Sequence, residues 1–231
     1  MDLVLAGVRR ALDLLIAGDP EVWAILWLSL RVSGAATLVA LLIGVPAGTV
    51  LALARFPGRR LVVSAVNTGM GLPPVVVGLF VTILLWRSGP LGELEILYTP
   101  AAIVVAQAAI ASPIVTGITL AAVGSVPENF RLQLLGLGAS RLQMVGMVLR
   151  EARLPMLAAV MAGFGGVISE IGASMMVGGN IRGQTRTLTT AMVLETGRGN
   201  FEIAIALALL LLALMFLVNW ALTWVQQRRT S

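Results

Sequence analysis

The chain has 231 residues, of which 58% are hydrophobic and 12% charged, where a soluble domain has about a quarter charged. All sixteen basic residues are Arg, the formal charge is +5, and there is no Lys, His or Cys. This excludes disulfides and most metal-site and nucleophilic catalysis. It also excludes a nucleic-acid surface, since in so apolar a chain the Arg residues belong to loops that set membrane orientation.

Apolar runs of about 18 residues or more recur, each long enough to cross a bilayer as a helix. The short alternating segments of a β-barrel are not seen. The expected fold class is all-α and polytopic, with about five membrane spans in one domain. Residues 1–22 are read as a separate N-terminal interfacial segment. Its apolar run from Leu3 to Ile16 is short and interrupted by Arg9, Arg10 and Asp13, which does not suit a cleaved leader. Apolar residues at 3, 5, 8, 12, 15 and 16 fit an amphipathic helix on the membrane surface or a frayed leader helix.

Residues 23–231 form the membrane domain. Its first expected span is Val32 to Ala54, preceded by the interface anchors Trp23 and Trp27 and by a snorkelling Arg31. Arg55, Arg59 and Arg60 close it. The second is Leu61 to Trp86, where Pro73 and Pro74 must open the backbone ladder and kink or break the helix. That break is a tolerated kink or a hinge that lines a pathway. The third is Tyr98 to Val123. Its Thr116 and Thr119 either line the same pathway or bond their own backbone.

Residues 125–155 come next, with Arg131, Arg141, Arg150, Arg153, Glu128 and Glu151 between two spans. The centre, LGLGASRLQ at 135–143, is expected to be a short helix broken at Gly136 and Gly138. A basic, Gly-punctuated interruption of this kind presents itself to a partner. The fourth span is Pro155 to Val177. Gly163, Gly166, Glu170, Ala173 and Ser174 are expected on one face of that helix, where small residues admit a neighbour. Glu170 is the lone carboxylate within a span, where a charge costs at least ~3 kcal/mol unless paired or hydrated. It is a packing lock or a carrier of protons or substrate.

The stretch 178–200 reads as a polar, partly helical connection. Arg182 and Arg186 lie there beside Thr185, Thr187, Thr189 and Thr190. Such donors suit a tetrahedral oxyanion at an outer mouth; lipid phosphates or an acidic partner protein suit them equally. The fifth span is Ile203 to Val225, followed by Arg228 and Arg229. Five spans put the N-terminus outside and the C-terminus in the cytoplasm. Nine of the sixteen Arg then fall on the cytoplasmic side, as positive-inside orientation favours. No GxxxxGK[ST], HExxH, GxSxG or paired-Asp pattern is present, so no catalytic residue is assigned.

Leu137-Gly138-Ala139-Ser140-Arg141, followed by Leu154-Pro155, resembles the ATPase-docking loop of the permease subunits of ATP-binding-cassette importers. The family's acidic-Ala-Ala triplet is replaced by Leu132-Gln133-Leu134. The resemblance implies that Arg131, Leu134, Leu137, Gly138, Ala139, Ser140 and Arg141 couple to a separate ATPase. The apolar contact would come from Leu132, Leu134, Leu135 and Leu137. The resemblance further implies a homodimer in a prokaryotic inner membrane and two cytoplasmic subunits that carry ATP and Mg. It also implies an external oxyanion-binding protein and no cofactor in this chain. NTGMGLPPVVVGL, RSGPLG and SEIGASMMVGGNIRGQTRTLTTAMVLETGRG are similar to the tungstate permeases among the oxyanion importers, with molybdate and sulfate permeases as the alternative. The rival readings are a proton-coupled secondary transporter using Glu170 and a non-transporting membrane scaffold.

Overall fold

The computed structural model describes residues 2–227, which are helical apart from connections and one 3-10 turn at Gly92–Leu94. The helices are α1 (Asp2–Ile16), α2 (Pro20–Leu53), α3 (Arg59–Met70), α4 (Pro74–Leu85), α5 (Pro100–Gly124) and α6 (Glu128–Gly136). They continue with α7 (Arg141–Glu151), α8 (Arg153–Ile168), α9 (Gly172–Gly178), α10 (Leu188–Gly197) and α11 (Phe201–Gln227). The all-α, polytopic expectation holds. Arg228 and Arg229 lie outside the described residues, as do the side chains of Leu3 and Leu15.

The first span is longer than its apolar core suggests. Asp19 accepts the N–H groups of Glu21 at 2.9 Å and Val22 at 3.1 Å, and Pro20 takes the first helical position. Both features start a helix, so α2 begins there and not at Val32. The segment boundary expected at 22 therefore falls inside a helix.

Helices α2 and α5 form the centre. Gly44 faces Val115 and Gly48 faces the backbone between Thr116 and Leu120, so the contacts advance together along both chains and the two helices are parallel. A Cβ on Gly48 would stand 2.6 Å from the Thr116 carbonyl oxygen. Only glycine admits this approach, the small-xxx-small contact of membrane helices. Gly163 of α8 meets both Val115 of α5 and Thr37 of α2, and Ala40, Ala111, Val115, Ala159 and Val167 pack together.

Two of the crossings are broken. Helices α3 and α4 meet at 102°, at the Pro73-Pro74 pair that supplies no N–H to a helical ladder. Contacts along the pair run from the C-terminal end of α2 to the N-terminal end of α5. Arg59 Nε donates to Leu51 O at the end of α2, 2.7 Å away. Gly69 then meets Pro113, and Met70 meets Gly117. Finally Val81 and Leu85 pack with Ala102 and Ile103. The pair is one bent crossing and does not turn back as a re-entrant loop.

The fourth crossing climbs α5 in the same way. Gly163 lies at Val115, Val167 at Gln107 and Gly178 at Ile103. It is not the continuous helix expected over Pro155 to Val177. Helix α8 stops at Ile168, residues 169–171 are irregular, and α9 restarts at Gly172. The single face proposed for Gly163, Gly166, Glu170, Ala173 and Ser174 is lost, because the helical phase is reset at the break.

Helix α1 packs along α11 through its small residues. Ala11 is buried, and a Cβ on Gly7 would collide with the Ile205 side chain. Leu5, Val8, Leu12 and Ile16 stay exposed. The connection 178–200 contains α10, started by a capping box of Thr187 and Thr190.

Candidate functional site

Residues 125–155 fold into two short helices around a tight turn. Gly138 adopts φ +87°, which glycine tolerates without a Cβ penalty. Around it the N–H groups of Leu137, Gly138 and Ala139 return to the carbonyls of Gln133, Leu135 and Leu134 at 2.9 to 3.0 Å. Ser140 and Gln143 then exchange side-chain and backbone hydrogen bonds in a capping box that starts α7. The break expected at Gly138 is there, and Gly136 ends α6.

The turn projects Leu137, 86% exposed, and Leu142, 84% exposed. Leu132, Leu135, Ser140 and Arg141 are also exposed, while Ala139 is half-buried. Leu134 is buried, because it shares the inner face of α6 with Phe130, one helical turn away. The apolar surface therefore lacks Leu134 and gains Leu142, which sequence reasoning missed. The Ser140-x-x-Gln143 box was the available signal, since it fixes where α7 restarts. Arg131 also points inward. One of its terminal nitrogens donates to Val123 O at 3.0 Å and to Val126 O at 2.9 Å. A guanidinium here satisfies carbonyls at the negative end of α5, so Arg131 anchors α6. An exposed Arg55–Glu128 pair at 3.3 Å joins the α2–α3 connection to α6. Between them lies a cleft of about 960 Å³ that includes Arg55, Arg60, Leu132 and Arg141.

The irregular residues 169–171 are held from three directions. The buried Glu170 turns its Oε1 onto the Ala173 N–H at 2.9 Å, which satisfies a donor at the start of α9. Thr189 Oγ1 donates to the Glu170 carbonyl at 3.0 Å. Gln107 Nε2 donates to Val167 O at 3.0 Å and to the buried Ser174 Oγ at 3.3 Å. Unsatisfied backbone is costly at this depth, and these side chains supply the bonds that a continuous helix would have made. Gln107 was missed in sequence; its signal was a lone amide within the third span. Thr116 Oγ1 bonds its own backbone at Ser112 O, 2.7 Å away. Thr119 is fully buried against Gly48. Pro73 and Pro74 occupy the bend between α3 and α4.

At the opposite end from the Gly138 turn, Arg182 and Arg186 converge on Glu21. Arg182 Nε donates to Glu21 Oε1 at 2.8 Å, with a second bond between Arg182 and the other carboxylate oxygen. Arg186 reaches Oε1 at 3.4 Å. The hydrogen bond that Arg182 donates to Glu21 raises the Arg182 pKa above its ordinary value, so this cation stays charged. The threonines do not face an open mouth. Thr185 donates to Gly178 O and accepts the Ile181 N–H. Thr187 and Thr190 cap α10, and Thr189 holds Glu170. All four are buried, and their hydroxyls are used inside the protein. The Leu188 N–H adds a bond to Ser29 Oγ on α2 at 2.9 Å.

A family model described as "Binding-protein-dependent transport system inner membrane component" matches residues 44–231. The tungstate uptake system permease protein TupB of Peptoclostridium acidaminophilum is 37% identical over 221 residues, which are 95% of this chain and 96% of that protein. A probable anion ABC transporter permease protein of Haloferax volcanii is 42% identical over 196 residues, 83% of this chain and 84% of that one. Among solved structures, the inward-facing MetNI methionine ABC transporter has a chain similar in fold. The TM-score is 0.75 at 21% identity, covering 91% of this chain and 98% of that one.

Proposed function

We propose that this chain, which belongs to the family of binding-protein-dependent transport system inner membrane components, is the permease subunit that passes tungstate into the cytoplasm. The chain is a multi-pass inner-membrane component of an importer, and separate subunits hydrolyse the ATP. The substrate reading is carried by the likeness to the tungstate permease along 95% of this chain. The coupling reading is carried by the exposed Leu137–Leu142 turn, braced from behind by Arg131.

Two copies assemble around a central pathway. The C-terminus is cytoplasmic and the N-terminus external. Each copy inserts its Gly138 turn into a groove on one ATPase subunit, through Leu137, Leu142, Ser140 and Arg141. Arg131 and Ala139 keep the turn in shape. An external binding protein delivers the anion to the face formed by 87–97 and 178–200. ATP draws the ATPase pair together, the coupling turns follow, and the broken crossings at Pro73-Pro74 and at Glu170 are where the spans flex. A crossing already interrupted needs no further helical hydrogen bond broken in order to bend. Ser174 lies beside the break at Glu170, and Thr116 lines a groove with Pro113 and with Val62 and Val66 of α3. The pathway binds the anion weakly, because tight binding there would slow release. No cofactor is assigned to this chain, and ATP and Mg belong to the partner subunit.

The test is uptake of tungstate by proteoliposomes that contain this chain, its ATPase and its binding protein. Uptake is expected only with ATP and all three components. Molybdate is expected to compete strongly, being alike in shape and charge, and sulfate weakly. Uptake driven by a proton gradient without ATP would establish the secondary-transporter reading instead. Preference for molybdate or sulfate would keep the coupling reading and change the cargo.

A further inference from the structure

A second site lies at the end of the molecule opposite the coupling turn, between α1, α2, α10 and α11. It is a cleft of about 350 Å³ with two kinds of wall. The rim is charged, with Arg10, Arg182, Arg186 and Arg198 set against Asp19, Glu21 and Glu195. The floor is apolar and includes Val22, Ile25, Ala191, Ile203 and Leu207.

The rim carries four guanidiniums and three carboxylates, so one positive charge is unmatched. The pairing shows where it sits. Arg182 is taken by Glu21, and Arg198 by Glu195 at 2.9 Å. Asp19 is used by the backbone of α2. Arg10 has no ion-pair partner among the described residues. Arg186 is mostly buried, reaches Glu21 only at 3.4 Å, and leaves its Nε buried with no acceptor. Buried donors without an acceptor are uncommon and call for one.

The depth of the cleft is marked by aromatic residues. Trp23 and Trp27, on the first turns of α2, are 51% and 60% exposed. Exposed Trp at a span end sits at the headgroup level of a bilayer. The charged rim lies beside these anchors, and the apolar floor runs from it toward the hydrocarbon region.

We infer that this cleft is a binding site for one anionic phospholipid. Its phosphodiester is held by Arg10 and Arg186, and an acyl chain lies over Val22, Ile25 and Leu207. The single negative charge matches the unpaired cation. An inorganic oxyanion has no use for the apolar floor, and a zwitterionic lipid does not match the charge.

The test uses the full chain with its partner subunits in phosphatidylcholine nanodiscs containing a minor fraction of phosphatidylglycerol, with retained lipid counted by native mass spectrometry. The wild type is expected to retain phosphatidylglycerol in excess of its share of the bilayer. Arg10→Gln is expected to lower that retention about fivefold, the effect of losing one interfacial guanidinium. Arg9→Gln, on the same helix but not lining the cleft, should leave it unchanged. Equal retention in Arg10→Gln and wild type would overturn the inference. Displacement of the lipid by millimolar inorganic phosphate or tungstate would also overturn it, and would make the cleft a free-anion site.

Discussion

Gly138 holds φ +87° with open space around it, so backbone conformation alone demands glycine there. A β-branched residue at a left-handed position costs roughly 1–2 kcal/mol or more. Gly138→Val should therefore distort the turn without unfolding the spans, and it should leave ATP hydrolysis running without tungstate uptake. Normal coupled uptake by this variant would refute the coupling role. Arg131 makes a different prediction, because it holds the Val123 carbonyl of α5 and the Val126 carbonyl just beyond it. Arg131→Ala should lower stability by about 1.5–3 kcal/mol, as for hydrogen bonds from a charged donor, measured by thermal unfolding in detergent. Glu170 separates lock from carrier. Glutamine keeps an oxygen for the Ala173 N–H, so Glu170→Gln should transport normally. Glu170→Ala should lose about 1–2 kcal/mol, as when a helix cap is removed. Loss of transport in Glu170→Gln with unchanged stability would instead favour a carrier.

At the scale of elements, the α2–α5 contact is a close backbone approach of two long helices and rests on Gly44 and Gly48. Gly48→Leu should force the pair apart and cost more than the ~1–3 kcal/mol of an ordinary overpacked core, because the obstructing atoms are backbone. Poor recovery of folded protein is the expected readout, with Gly34→Leu, which faces open space, as the tolerated control. The sequence places the helices well, since apolar length and Arg clusters bound the spans and Pro73-Pro74 marks a bend. It does not show the break at 169–171. Nothing local forbids a helix through Ser169-Glu170-Ile171; the interruption is held by Gln107 and Thr189, which are remote in the chain.

At the scale of the molecule, the two ends differ in kind. One end exposes leucines on a capped turn, and the other closes its threonines into internal hydrogen bonds and pairs Arg182, Arg186 and Arg198 with carboxylates. The double variant Leu137→Asp with Leu142→Asp should weaken association with the ATPase subunit at least ~10-fold, since two side chains worth ~1.5–3 kcal/mol each on burial are lost. Co-purification at graded detergent and salt would measure it. Unaltered association would show that the contact lies elsewhere.

Composition and apolar run length alone determined an all-α membrane protein, because a bilayer accepts only helices or closed barrels and sets their length. Local patterns also determined where the Gly138 turn breaks the helix, because glycine geometry and a capping box act within a few residues. The tertiary structure alone decided which polar groups are available. Leu134 and Arg131 turned inward, Leu142 turned out, and the threonines and Arg182 were consumed by partners up to 161 residues away in sequence. A side chain's chemistry is written in the sequence, but whether it is already satisfied depends on what the fold brings beside it.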